Sequence, residues 1–247
     1  MKNKLPQHKQ VIEVMAKNGG YATLGYLYQN VDVSDWSTKT PFKSINRIVQ
    51  DERFFFKIKP GLWALKEKKN DILKSLDLDA KNEKETKAEE FTHSYFQGLL
   101  IEIGNMRGFE TFVPSQDKKK LFLNKPLGDV STLKTIYEFS YDEFVKRART
   151  IDVIWFNERK MPSSFFEVEH STDIYNSLIK FTELQDFYSN YCIVADRVRK
   201  REYESKIAVN VFKKVKPRIS FMSYDDLSEI HANTFKTYKS QALFPFL

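Results

Sequence analysis

Apolar positions in the first 70 residues fall first at helical and then at strand spacing. Val11, Ile12, Val14 and Met15 mark a helix that stops at Asn18-Gly19-Gly20, and a second short helix is predicted from about Ala22 to Tyr28. A third opens after Thr40-Pro41, with proline in its first turn and Ile45, Ile48 and Val49 on its buried face. Phe54, Phe56 and Ile58 then alternate up to Lys59-Pro60-Gly61, and Leu62, Trp63, Ala64 and Leu65 return, which predicts a two-stranded wing. From about Asn70 to Glu90 the chain is charged and has no clear apolar period, as in Asp77-Leu78-Asp79-Ala80-Lys81-Asn82-Glu83-Lys84-Glu85. This stretch reads as a domain boundary, either a helical or a flexible tether.

From Phe91 a helix of about 16 residues is predicted by Phe96, Leu99, Leu100, Ile103 and Met106, with a stop at Arg107-Gly108. Strands are predicted at Phe109 to Pro114, Ile151 to Phe156, Ser164 to His170 and Tyr191 to Ala195, with a further one at Arg218 to Met222. An amphipathic helix from about Thr172 to Tyr188 separates the third and fourth, and another covers Asp225 to Tyr238. The order helix, strand, strand, strand, helix, strand implies a mixed sheet flanked by helices. The expected fold is therefore α/β in the mixed α+β sense. A winged helix-turn-helix (1–69) and a charged linker (70–90) precede the sheet domain (91–247).

Composition sharpens this division. A hydrophobic share of 41%, an aromatic share of 15% and a charged share of 30% suit packed, soluble domains and give no reason to expect disorder. No apolar run approaches the length of a membrane span, and Met1 to Gln10 lacks a signal peptide's apolar stretch, so a cytoplasmic protein without a membrane partner is expected. The single cysteine, Cys192, lies in an apolar strand run and reads as a buried thiol. Residues 1–70 hold 13 Lys and Arg against 6 Asp and Glu, whereas residues 71–247 hold 27 of each, so the net charge of +7 is carried by the first segment. A local basic excess of this kind suits a phosphate-facing surface, and it also suits plain solubility.

The chemistry is concentrated in the second segment. Asp152 opens the otherwise apolar run Ile151-Asp152-Val153-Ile154-Trp155-Phe156, where an unpaired carboxylate is costly to bury. Glu167 and Glu169, two apart in Phe165-Phe166-Glu167-Val168-Glu169-His170, project from the same face of a strand. A tight turn at Asn157 to Ser163 brings the two strands side by side and the three acids into one pocket. Like charges at that range repel, and a divalent ion is the simple remedy. An oxygen-only donor set with at most one nearby histidine favours Mg²⁺, with Mn²⁺ as a substitute. Glu167 and Glu169 as ordinary salt-bridged residues of an exposed strand face is the alternative. His93 and Gln97 are four apart and share a helix face, so they approach the acids from the core side, whereas Glu102 reads as a solvated helix residue. His170 points to the face opposite Glu169 and reads as structural. Arg197, Arg199, Lys200 and Arg201 suit either a phosphate contact or a surface helix.

Two resemblances follow from these residues. The short helix after a Gly-containing turn, with the aromatic wing Phe54-Phe55-Phe56 to Gly61-Leu62-Trp63, resembles winged-helix domains of the HARE type. In such domains the third helix enters the major groove. The resemblance thus implies DNA contacts from Lys43, Ser44, Asn46, Arg47 and Gln50, and phosphate contacts from Lys57 and Lys59 on the wing. A protein-binding winged helix stays open. Asp152 followed by Glu167-Val168-Glu169, together with His93-Ser94-Tyr95-Phe96-Gln97 and Phe112-Val113-Pro114 to Asp117, resembles the PD-(D/E)XK nuclease family over roughly Thr92 to Ile207. By that resemblance Asp152 and Glu167 bind metal, Gln97 adds a catalytic polar group, and Glu169 stands where the family usually has lysine. Lys180 or Lys118 to Lys120 are available to supply the missing positive charge. The implied activity is Mg²⁺-dependent cleavage of double-stranded DNA by a type II-like or modification-dependent restriction enzyme, plausibly a homodimer. A catalytically inactive DNA-binding regulator and an RNA-processing nuclease are the alternatives.

Overall fold

The computed structural model describes residues 5–76, 78 and 84–243. Most of the charged core of the expected linker, Asp77 and residues 79–83, lies outside the described residues. The chain separates into two compact units at 87/88 and 227/228, with its first and last stretches in one unit and Ala88–Leu227 in the other.

In the first unit α1 (Gln7–Lys17) is followed by β1 (Tyr21–Thr23), α2 (Leu24–Asn30), α3 (Pro41–Val49), β2 (Phe55–Lys59), β3 (Leu62–Leu65) and α4 (Lys69–Ser75). α1 stops because Gly19 and Gly20 adopt φ of +81° and +93°, which an L side chain resists, and the Gly20 amide folds back onto the Met15 carbonyl at 2.8 Å. The second helix starts two residues later than its periodicity implies. Tyr21–Thr23 pairs antiparallel with β3, and the Thr23 hydroxyl then accepts the Tyr26 amide at 3.1 Å as a helix cap. The expected wing is thus part of a three-stranded antiparallel sheet in the order β1-β3-β2. Val11, Met15, Leu27, Ile45, Val49, Phe55 and Leu65 form its core, joined by Ala232 from the C-terminal stretch.

The second unit is built on α5 (Lys84–Met106), β4 (Glu110–Phe112), a small hairpin of β5 (Leu121–Phe122) and β6 (Lys125–Pro126), α6 (Leu127–Val130) and α7 (Asp142–Ala148). β7 (Val153–Phe156), β8 (Pro162–Glu169), α8 (Ile174–Glu183), β9 (Asn190–Ala195), α9 (Lys200–Ile207), β10 (Ile219–Ser223) and the start of α10 (Tyr224–Leu243) follow, the rest of α10 belonging to the first unit. The sheet order is β10-β9-β8-β7-β4. β4, β7 and β8 pair antiparallel, while β8, β9 and β10 run parallel, so the sheet is mixed and flanked by helices.

Alternation along the strands sends side chains to two covered faces. Ile154, Phe165 and Ile193 pack with Ile174, Leu178 and Phe181 of α8. On the other face the Trp155 indole donates to the Leu100 carbonyl of α5 at 3.1 Å. α5 comes so close there that a Cβ on Gly104 would lie 2.6 Å from Thr111 Cγ2 and 2.7 Å from Trp155 Nε1. The helix expected from Thr172 to Tyr188 is shorter at both ends. Asp173 caps its start by accepting the Tyr175 amide at 2.8 Å. Past its end, the Arg218 guanidinium takes the carbonyls of Gln185 and Phe187, which gives the backbone partners outside a helix. Cys192 is buried in β9, and burial pushes its thiol up to about 11. Among the described residues no helix is long and apolar enough to cross a membrane.

Candidate active site

The register Val153↔Phe166 sets Asp152, one residue before β7, beside Glu167 in the neighbouring strand. Asp152 Oδ2 accepts the Val168 backbone amide at 2.7 Å and lies 3.1 Å from His93 Nε2. Glu167 is 2% exposed. Burial and the nearby charge of Asp152, with a smaller push from Glu169, hold its carboxyl well above the usual carboxylate range against the pull of Lys180.

The spacing of two puts Glu167 and Glu169 on the face that α8 covers. Ser177 Oγ of α8 lies 3.0 Å from Glu167 Oε2 and also reaches Glu169 Oε1, while Thr172 donates its hydroxyl to Glu169 Oε2. Lys180, one helical turn beyond Ser177, places Nζ 2.8 Å and 3.0 Å from the two Glu167 oxygens and 3.1 Å from the Thr150 carbonyl. Burial works against the charge of Lys180, but the carboxylates around it outweigh that and raise its pKa, so it keeps its proton. The Tyr224 hydroxyl donates to the Glu169 carbonyl at 3.2 Å, and its ring stacks on Phe96 at 3.8 Å between centroids.

From the other face α5 brings His93 and Gln97 as one stripe. Gln97 Nε2 donates to Asp117 Oδ2 at 2.9 Å and to the Asp152 carbonyl at 3.2 Å. Its Oε1 is buried without a hydrogen-bond partner. Asp117, 2% exposed, is paired in turn with Lys120 at 2.8 Å. Burial acts to lower the pKa of His93, but the hydrogen bond and charge of Asp152, with Asp117 behind it, raise it overall. Sequence reasoning had no role for Asp117, Ser177 or Thr172. Ser177 and Lys180 carry a readable signal, since a spacing of three on the helix after the acidic strand puts them on one face. Asp117 carries none, because a loop has no period.

The sequence-derived basic positions of the first segment belong to the other unit. Lys43, Ser44, Asn46 and Arg47 lie on α3 and Gln50 closes it; Gln50 Nε2 donates to Asn46 Oδ1 at 3.1 Å, and Lys43, Arg47 and Gln50 are exposed. Lys57 and Lys59 lie on β2. Of the cluster after β9, Arg199 is committed to structure: it donates to the His170 carbonyl at 3.1 Å and the Thr172 carbonyl at 2.6 Å, and pairs with Glu202. Arg197 lies 3.9 Å from Asp226 and Lys200 4.0 Å from Glu204, both at the surface, and Arg201 is exposed. Glu102 is half-buried rather than fully solvated, with its charge felt by Tyr95.

Among the described residues no three His, Cys, Asp or Glu side chains are arranged as a ready-made metal cage. The pair Asp152 and Glu167 nonetheless suits a hard cation. Both offer carboxylate oxygens, Asp152 uses only Oδ2 in its hydrogen bonds among the described residues, and ionisation of Glu167 is opposed by the charge of Asp152, a conflict that a divalent ion relieves.

A type II restriction enzyme, NmeDI, of Neisseria meningitidis serogroup C is 31% identical over 104 residues, which cover 40% of this chain and 30% of the relative. The chain thus matches less than a third of that protein's length. No solved structure matches. Residues 75–243, which contain the whole carboxylate site and both helices that flank it, match the family described as the type II restriction enzyme NmeDI C-terminal domain. The chain belongs to the NmeDI C-terminal domain family.

Proposed function

We propose that this protein is a Mg²⁺-dependent DNA endonuclease of the PD-(D/E)XK type that serves restriction, with Mn²⁺ as a substitute metal. The observation that carries the reading is the meeting of Asp152 and Glu167 at the ends of adjacent antiparallel strands, in a chain of a restriction-enzyme family. The succession α5, β4, β7, β8, α8, β9 supports it, being the order that the resemblance implies. The first 69 residues act as a winged helix that holds duplex DNA through α3 and the β2–β3 turn, in line with the basic excess of that segment. Two copies would cut the two strands.

Asp152 and Glu167 hold the metal, which when bound supplies charge neutralisation at the attacked phosphate and a lowered pKa for water. The reaction is hydrolysis: a water oxygen bonds to phosphorus and the ester P–O bond breaks. The water's proton passes to the Glu169 carboxylate, and the leaving oxygen takes a proton from solvent. Thr172 and Ser177 hold the Glu169 carboxylate in place for that transfer. His93 and the Val168 amide fix one oxygen of Asp152, and Gln97 ties the Asp152 backbone to Asp117.

The test uses methylated and unmethylated genomic DNA with Mg²⁺ or Mn²⁺, and fragment ends are sequenced. The wild type cuts, while Asp152→Asn and Glu167→Gln lose cutting and keep DNA binding. Unchanged cutting by either purified variant defeats the assignment. Glu169 in place of the usual lysine favours a second reading, a DNA-binding regulator without activity. Failure of the wild type to bind either metal or to cut any of these DNAs would establish it.

A further inference from the structure

We propose that the β5–β6 hairpin is the element with which the second unit reads the bases of a duplex, an inference that takes its polymer, DNA, from the nuclease reading above. Asn124 at the tip bonds a base edge in the major groove, and Lys119 and Lys125 grip phosphates on either side. Residues 118–125 hold four lysines and no acid, within a stretch, 71–247, whose charges otherwise balance. Two of these lysines are committed to the protein, Lys118 to the Lys134 carbonyl and Lys120 to Asp117 at 2.8 Å. Lys119, Asn124 and Lys125 are exposed, and their side chains have no polar partner among the described residues. Leu121 beside them is 51% exposed.

Two-residue strands do not hold a hairpin by themselves. This one is clamped to α5. Phe122 is buried with its ring centroid 6.0 Å from that of Tyr95, in space that exists because residue 98 is glycine: a Cβ there would collide with the Phe122 ring. The Ser94 hydroxyl donates to the Leu121 carbonyl at 2.8 Å. At the root of the hairpin Lys120 pairs with Asp117, which accepts from Gln97, which donates in turn to the Asp152 carbonyl. The tip therefore stands at a fixed offset from the carboxylate site. Leu123 at that tip has φ +57°, a conformation that bulky residues avoid and glycine takes freely. A strained residue held in place by its surroundings is a mark of a functional loop. A plain solvated charge run accounts for the lysines but for neither the clamp nor the strained tip. A two-stranded ribbon fits the major groove, and an asparagine amide matches the donor–acceptor edge of adenine.

The experiment compares the full chain as wild type, as Asn124→Ala and as the double variant Lys119→Ala/Lys125→Ala. Each is offered a library of randomised duplexes with Ca²⁺ replacing Mg²⁺, and the bound duplexes are sequenced. Affinity for the sequence that wild type selects is then followed over a salt series, and cutting is measured with Mg²⁺. Asn124→Ala is expected to lose about 10- to 100-fold of the preference for adenine at one position of that sequence, with its salt slope unchanged. The double lysine variant should keep the preference and reduce the slope of log affinity against log salt by about two. An unaltered preference in the first variant, or an unaltered slope in the second, overturns the inference, while the nuclease reading stands as long as wild type cuts. A wild type that selects duplexes but cuts none removes the nuclease reading and leaves the hairpin to be decided by the same two readouts. A wild type that binds no duplex removes both.

Discussion

His93 Nε2 lies 3.1 Å from Asp152 Oδ2, across 59 positions of sequence. The imidazole and the Val168 amide converge on the same carboxylate oxygen, which fixes the direction in which Asp152 presents its other oxygen. Groups that orient a metal-binding carboxylate commonly matter almost as much as the carboxylate itself. His93→Ala is therefore expected to weaken Mn²⁺ binding and Mg²⁺-dependent cleavage about 10- to 100-fold, and His93→Gln, which keeps a donor, by less. Metal titration and single-turnover rates check this, and wild-type metal affinity in His93→Ala would refute it.

Asp173 governs where α8 begins and hence where Ser177 and Lys180 stand. It caps the helix through the Tyr175 amide and pairs with Lys206, and these contacts, Lys206 first, hold its carboxyl below the usual range. A carboxylate with a lowered folded-state pKa contributes stability that is present above its unfolded value, near 4, and lost as the pH falls through the folded value. Asp173→Ala should therefore melt below wild type at neutral pH, and the gap should shrink as the pH drops below about 4. Thermal melts across a pH series read this out. A gap that widens in acid contradicts it.

Lys43 and Arg47 are exposed on one face of α3, four apart. If that helix faces phosphates, each neutralised contact releases counterions. Lys43→Ala and Arg47→Ala should each reduce the slope of log affinity against log salt by about one, with similar weakening on unrelated duplexes. Binding isotherms over a salt series decide the matter. An unchanged slope for both variants removes α3 from the interface.

Gly104 permits the close approach of α5 to the sheet that brings His93 and Gln97 to Asp152. An added methyl would fall within 2.7 Å of the Trp155 indole nitrogen, whose hydrogen bond to Leu100 limits its retreat. Gly104→Ala gains helix propensity but overpacks this contact, so a net loss of roughly 1–3 kcal/mol is expected. Urea denaturation measures it; a midpoint at or above that of wild type would show that the helix gives way without cost.

The elements that were legible in the sequence are those whose apolar residues keep a local period. Ile45 and Val49 marked α3, the alternation of Phe54, Phe56 and Ile58 marked β2, and the run from Tyr191 to Ala195 marked β9. The acids were legible for the same reason, because a carboxylate within an apolar strand stands out and a spacing of two puts Glu167 and Glu169 on one face. Tyr21–Thr23 was not, since a three-residue strand is shorter than any period and its conformation comes from pairing with β3. Nor were the hairpin of β5 and β6 or α6, which are two to four residues long.

By itself, the sequence determined the order of the strongly periodic helices and strands, the basic bias of the first segment and the three acids of the candidate site, because each is a local pattern of charge or hydrophobicity. The tertiary structure alone decided which residues surround those acids. Whether Lys180 or one of Lys118 to Lys120 meets Glu167 depends on how α8 is packed against the sheet through Ile174, Leu178 and Phe181. Lys118 is turned instead to the Lys134 carbonyl, and Lys120 to Asp117. Charge–charge contacts between side chains distant in sequence follow from packing, and packing has no local signature to read.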